Sequence, residues 1–183
     1  MVFLPTQLAG VTLIEPEPVS DARGLFARTW CQRDYEARGL TAKLAQCSVS
    51  FNARRATLRG MHFQAEPHAE AKLVRVTRGA IYDVALDLRP ASSTYLQWFA
   101  AELSFENRRM LHIPEGCAHG FQTLTDDAEV FYQISEFYEP DAGRGVRWND
   151  PVFGIHWPLS DPILSDRDRN YRDYEPVCSA KAA

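Results

Sequence analysis

A chain of 183 residues, 45% hydrophobic and 24% charged, has the length and balance of one soluble globular domain with a full core. Its net charge of −4 speaks against general nucleic-acid binding, which calls for a basic surface, although local arginines can still hold an anionic ligand. No apolar run approaches membrane-spanning length, and Met1-Val2-Phe3-Leu4-Pro5 lacks the charged and apolar regions of a signal peptide.

Strands are expected at 11–15 and 24–30, then a short helix over Gln32 to Arg38 that Gly39 stops as a C-cap. Further strands follow at 44–51, 57–64 and 72–77. After a turn at Arg78-Gly79, Tyr82, Val84, Leu86 and Leu88 alternate with Asp83 and Asp87, the period of a strand. Strands at 95–104 and 109–113 lead to Glu129 to Ser135, where Val130, Tyr132 and Ile134 share one face. A second helical turn is expected near Asp161 to Ser165. Residues 1–175 read as a single domain and 176–183 as a disordered tail. Many short strands with little helix make an all-β fold, and a jelly roll fits best because it holds ligands in a mouth between its sheets. Cys31, Cys47, Cys117 and Cys178 show no C-x-x-C spacing, so free thiols in a reduced, cytoplasmic compartment are expected.

Two segments carry chemistry. Leu58-Arg59-Gly60-Met61-His62-Phe63-Gln64, with Lys72 beyond it, is echoed by Pro114-Glu115-Gly116-Cys117-Ala118-His119-Gly120-Phe121. Together they put an arginine, two histidines and a lysine on strands that read as buried. Buried cations and imidazoles are costly unless something anionic or reactive sits among them, so a site for a small anionic substrate is expected. Arg59 and His62 have opposite parity on a regular strand. A bulge at Gly60 would turn both into one site.

At Arg59-Gly60-Met61-His62 and Pro114-x-Gly116-x-x-His119-Gly120-Phe121 the chain resembles the cupin-type nucleotide-sugar epimerases, the dTDP-4-dehydrorhamnose 3,5-epimerase family. Asp21-x-Arg23-Gly24-x-Phe26, Lys72-Leu73-Val74-Arg75-Val76, Asp83 to Arg89, Trp148-Asn149-Asp150-Pro151 and Leu164-Ser165-x-Arg167-Asp168 extend the match in order over about 10–172. The resemblance implies a double-stranded β-helix with one or two short helices. It also implies a homodimer whose N-terminal strands pack on the partner, with neither cofactor nor metal. The implied activity is 3,5-epimerisation of a dTDP-linked 4-keto-6-deoxy sugar.

That chemistry needs a base, a cation at the enolate oxygen and an acid on the opposite face of the ring. His62 is the candidate base, since imidazole titrates near neutrality. The resemblance pairs it with Asp168, with Asp166 two residues away as the competing position, and it assigns the proton donor to Tyr132. Lys72 is expected at the enolate oxygen; alone it would read as a strand-end lysine reaching for water. His119 would bond the same region or the diphosphate. Arg59 and Arg23 are candidate diphosphate contacts, because guanidinium forks match phosphate oxygens. Tyr138 matches the position that stacks on the base, and Gln46 joins it as a ligand contact.

The chain departs from the family pattern at Arg28 and Gly143, where glutamates are usual, and at Ser48, where asparagine is usual. These bear on base and sugar specificity rather than on the reaction. Inversion at a single carbon, or action on a GDP- or CDP-linked sugar, are therefore alternatives. A metal-dependent cupin would need a His-x-His set, but position 64 is Gln64. A sugar-nucleotide-binding cupin without activity would not need His62, Asp168, Tyr132 and Lys72 together.

Overall fold

A computed structural model describes residues 1–176. Its strands are β1 (Val2–Pro5), β2 (Thr12–Glu15), β3 (Val19–Asp21), β4 (Gly24–Phe26), β5 (Gln46–Asn52), β6 (Leu58–Gln64), β7 (Lys72–Arg78), β8 (Ala80–Asp87), β9 (Trp98–Ser104), β10 (Met110–Ile113), β11 (Cys117–Thr123), β12 (Ala128–Ile134) and β13 (Gly143–Gly145). Helices α1 (Gln32–Glu36) and α2 (Asp166–Arg169) are short. Six strands form one sheet in the order β1-β2-β10-β7-β12-β5, and five form the other as β13-β6-β11-β8-β9. Every pairing within the sheets is antiparallel, and the two stack as a jelly-roll sandwich.

Alternation decides what each face buries. Val74, Leu111 and Val130 from the first sheet meet Ile81, Ala85, Leu103 and Phe121 from the second in the central core. One residue out of phase, Leu73, Met110 and its register partner Ile14 face outward, where Tyr35 of α1 and Trp30 pack against them. The outer face of the five-stranded sheet, with Met61, Val84 and Leu86, is covered by Val146, Phe153, Ile155 and Trp157. Its central strands β8 and β11 are thus buried on both faces, and all seven residues of β11 are buried. This explains why Cys117–Thr123, read as buried strand from its motif, was given no strand bounds: two buried faces leave no alternation to read.

Other boundaries differ from expectation for local reasons. The strand expected at 24–30 is only Gly24–Phe26, paired with β3 in a hairpin that joins neither large sheet. The helix expected to reach Arg38 ends at Glu36, and the Gly39 N–H closes the turn on the Glu36 carbonyl at 3.1 Å, with φ of +68°. The helical turn expected over Asp161 to Ser165 is displaced. Ser165 is instead the N-cap of α2, its hydroxyl accepting the Asp168 N–H at 3.1 Å. Among the described residues no helix is long and apolar enough to cross a membrane. Cys31, Cys47 and Cys117 are free thiols; Cys178 and the expected tail from 177 onward lie outside the described residues.

The expected bulge at Gly60 is present. His62 pairs with His119 and Arg59 with Phe121, so three steps along β6 oppose two along β11. Gly60 has φ of +138°, and a β-carbon there would stand 2.5 Å from the Gly120 Cα. Only glycine combines that dihedral with so close an approach of two backbones.

A second polar anchor fixes the far end of β8. Asp87 is fully buried and accepts from Arg89 (Nε 2.9 Å, Nη2 2.8 Å), Ser92 (2.5 Å) and Thr94 (2.7 Å). Burial pushes its carboxyl up, but these donors outweigh it and bring the pKa down to about 2, below the ordinary 3.8. The folded carboxyl is thus the stronger acid. Its stabilisation is complete above the unfolded value and is lost as pH falls through about 2. Asp87→Asn is expected to cost about 2 kcal/mol at pH 7 and to flatten the fall in stability between pH 4 and 2, read by urea unfolding at several pH values. Parallel wild-type and variant curves would refute the assignment.

Candidate active site

Between the two sheets a cavity of about 420 Å³ opens at one end, in the size range of small-molecule sites. From β5 the inward residues Gln46, Ser48 and Ser50 line it, while Val49 and Phe51 point outward and are exposed. The bulged β6 supplies both Arg59 and His62; Lys72, His119, Tyr132, Tyr138 and Asp168 complete the expected set. Arg23 is the exception: it does not line this chain's own cavity. It sits on the β3–β4 hairpin, 89% exposed, with Nη2 2.5 Å from Asp21. Arg28 is exposed and is not among the cavity residues, whereas Ser48 is on the wall.

His62 Nε2 lies 2.6 Å from Asp168 Oδ1. Of the two candidate aspartates, Asp168 is therefore the partner, and Asp166 is exposed. Asp168 is buried, and its other oxygen accepts the Gly60 N–H at 3.3 Å. Burial alone would raise its pKa. The bond and charge of His62, then the Gly60 N–H and Ser165, outweigh that and hold the carboxyl below its usual range. A buried carboxylate fixed in this way orients the ring, leaving Nδ1 as the basic nitrogen of the neutral imidazole.

Lys72 does not reach for bulk water. Its ammonium is nearly buried, 2.9 Å from Glu70 and 3.3 Å from the His62 carbonyl. Of three N–H donors, one stays available to an oxygen in the cavity. His119 forms a second histidine–carboxylate pair, Nε2 to Asp83 Oδ1 at 2.7 Å, with both side chains buried. Tyr132 packs edge-on to the His119 ring at 5.9 Å between centroids. Burial first, and then the Asp83 charge, push its phenol well above the usual range, against the pull of Arg59. The phenol is thus a hydrogen donor at any physiological pH.

The nucleotide-binding candidates are held from behind. Arg59 gives its Nε–H to buried Asn52 at 2.7 Å, which leaves both Nη groups open. Gln46 accepts the Tyr138 N–H at 2.6 Å and so steadies the exposed Tyr138 at the rim. Glu70, Asp83, Asn52 and Arg167 were not anticipated as part of this site. The alternation that turns Asp83 to the opposite face from Val84 could have flagged it, because a carboxylate there needs a partner. Among the described residues no three His, Cys, Asp or Glu side chains gather as a metal centre requires.

A family model described as dTDP-4-dehydrorhamnose 3,5-epimerase matches residues 5–175. A dTDP-4-dehydrorhamnose 3,5-epimerase of Methanothermobacter thermautotrophicus is 46% identical over 173 residues, covering 93% of this chain and 92% of the relative. The Bacillus anthracis dTDP-4-dehydrorhamnose 3,5-epimerase structure with TDP and PPi bound superposes with a TM-score of 0.91 at 42% identity, covering 94% of this chain and 99% of that one. ChmJ, a 3'-monoepimerase from Streptomyces bikiniensis in complex with dTDP-quinovose, superposes with a TM-score of 0.86 at 33% identity, covering 93% and 86%. With the family model matched over nearly its whole length and the cupin sandwich shared, the chain belongs to the dTDP-4-dehydrorhamnose 3,5-epimerase family of isomerases.

Proposed function

We propose that the chain epimerises dTDP-4-dehydro-6-deoxyglucose at C3 and C5, with His62 as base and Tyr132 as acid. One observation carries the reading: these two side chains line the same cavity, the first tied to a buried carboxylate and the second kept protonated. His62 takes the proton next to the ketone; the C–H electron pair moves into the ring and the carbonyl oxygen becomes an enolate oxygen. Lys72 donates to that oxygen as charge develops, which is where a fixed donor lowers the barrier most. Tyr132 returns a proton to the opposite face, and exchange with water resets both groups.

Arg59 holds the diphosphate and Tyr138 covers the base. The B. anthracis relative, with TDP bound, supports a thymidine nucleotide. We further propose a cytoplasmic homodimer. The hairpin residues Val19 and Phe26, 73% and 78% exposed, are apolar surface suited to a second copy. Packed there, the hairpin would carry Arg23 toward that copy's diphosphate.

The test is incubation with the dTDP-linked 4-keto sugar in deuterated water, followed by NMR. Label at C3 and C5 is the expected result, and no incorporation at either carbon would refute epimerase activity on this substrate. The likeness to a 3'-monoepimerase supports a second reading, inversion at C3 alone, which label at that carbon only would establish.

A further inference from the structure

Tyr171 follows α2 by two residues and has no role in the reaction as proposed. Its placement is nevertheless fixed from several sides. A β-carbon at Gly145 would fall on the Tyr171 ring and hydroxyl, so the ring occupies a slot against β13 that only glycine leaves open. Gly145 is the register partner of His62 across β13 and β6. The Tyr171 and His62 rings accordingly meet edge-on, 6.2 Å between centroids. The ring therefore cannot swing away without vacating a closely packed slot.

The fixed phenol holds an arginine. Arg167, one turn earlier, gives its Nε–H to the Tyr171 hydroxyl at 2.7 Å. Using Nε leaves the Nη groups for other partners, of which the Tyr138 hydroxyl is one, while the guanidinium carbon stands 5.8 Å from the centroid of the Tyr171 ring. A β-carbon at Gly143 would stand 3.7 Å from Arg167 Nη2 and 3.9 Å from the Tyr138 hydroxyl, so the guanidinium and the rim tyrosine share the space that glycine opens. Arg167 lines the cavity and has no carboxylate partner among the described residues. Lys72, by contrast, is paired with Glu70. Arg167 and Arg59 are thus the cavity cations with open charge, and Arg167 stands beside Tyr138.

We propose that Tyr171 is a positioning residue for substrate binding, its hydroxyl aiming Arg167 at the anionic nucleotide half of the substrate. The inference rests on the nucleotide-sugar reading above and extends it to a specific pair. A pre-aimed guanidinium loses less freedom on binding than a mobile one, so the hydroxyl acts on affinity. The Tyr171 ring, not its hydroxyl, packs beside His62, so removing the oxygen alone leaves the base untouched.

The test is dTDP binding by calorimetry to the wild-type chain, Tyr171→Phe, Arg167→Met and the double variant, with steady-state kinetics alongside. Tyr171→Phe is expected to weaken dTDP about fivefold, as loss of one charge-assisted hydrogen bond does, and to raise KM while kcat holds. Arg167→Met should weaken dTDP about tenfold or more, and the double variant should match Arg167→Met because Tyr171 acts through it. Wild-type affinity in Tyr171→Phe, or losses that multiply in the double variant, would overturn the proposal. Absence of dTDP binding by the wild-type chain would instead strike the nucleotide-sugar reading itself, so the two failures are distinct.

Discussion

Replacing His62 with asparagine is expected to lower kcat by about 10³-fold while dTDP affinity moves less than about threefold. Asparagine keeps a polar side chain near Asp168 but cannot accept a proton at neutral pH, so only the base is removed. The dissociation follows from where the contacts lie. His62 touches Asp168 and Tyr171, whereas the open guanidinium and rim groups offered to a nucleotide belong to Arg59, Arg167 and Tyr138. A base acts on the transition state, whereas nucleotide contacts of the kind proposed for those groups act on ground state and transition state alike. Asp168→Asn should show a smaller loss of kcat, since the imidazole survives without its orienting charge. The measurements are product formation under saturating substrate and calorimetry with dTDP. Turnover within tenfold of wild type in His62→Asn would remove His62 from the role of base, and an equal collapse of affinity and turnover would make it a binding residue.

How far the sequence revealed this site depended on whether a residue's role leaves a pattern in its neighbours. The bulge was permitted by the sequence, since Arg59 and His62 conflict in parity and a glycine stands between them, and the resemblance is what required it. Tyr132 was legible for the opposite reason: β12 is a regular strand, so parity with Val130 and Ile134 was enough to turn it inward. Glu70 was not, because it lies in a loop where no periodicity constrains direction, and only the fold brings it onto Lys72. β11 was read as buried strand from its motif but without bounds, since burial on both sides erases alternation without touching the motif. Arg23 marks a different limit. Its motif is local, but the hairpin that carries it leaves its own sandwich, and sequence does not say whose cavity a protruding arm serves. Asp83 lies between these cases. Its alternation was visible, and the partner that makes it meaningful, His119, comes from a strand thirty-six residues on.

The two histidine–carboxylate pairs divide the cavity in a way that bears on the proposed acid, Tyr132. Asp168 faces His62 from α2, and Asp83 holds His119 from β8, with Tyr132 edge-on to His119. Both carboxylates already have an imidazole, so neither is poised to take the phenol's proton. The Asp83 charge moreover disfavours a phenolate, which keeps the proton on Tyr132, as the proposed acid requires. Tyr132→Phe is therefore expected to separate two steps that wild-type turnover couples. His62 is untouched in this variant, and enolate formation with return of the proton to the same face should continue. Solvent deuterium should still enter the substrate, with configuration retained, while inverted product falls by about 10²- to 10⁴-fold. The ring stays, so packing against the core changes little and the melting temperature should hold. NMR of the sugar in deuterated water reads both quantities in one experiment, since label and configuration are scored at the same carbon. Inverted product at the wild-type rate would show that another group protonates the far face; loss of exchange along with inversion would place the phenol in proton removal rather than delivery.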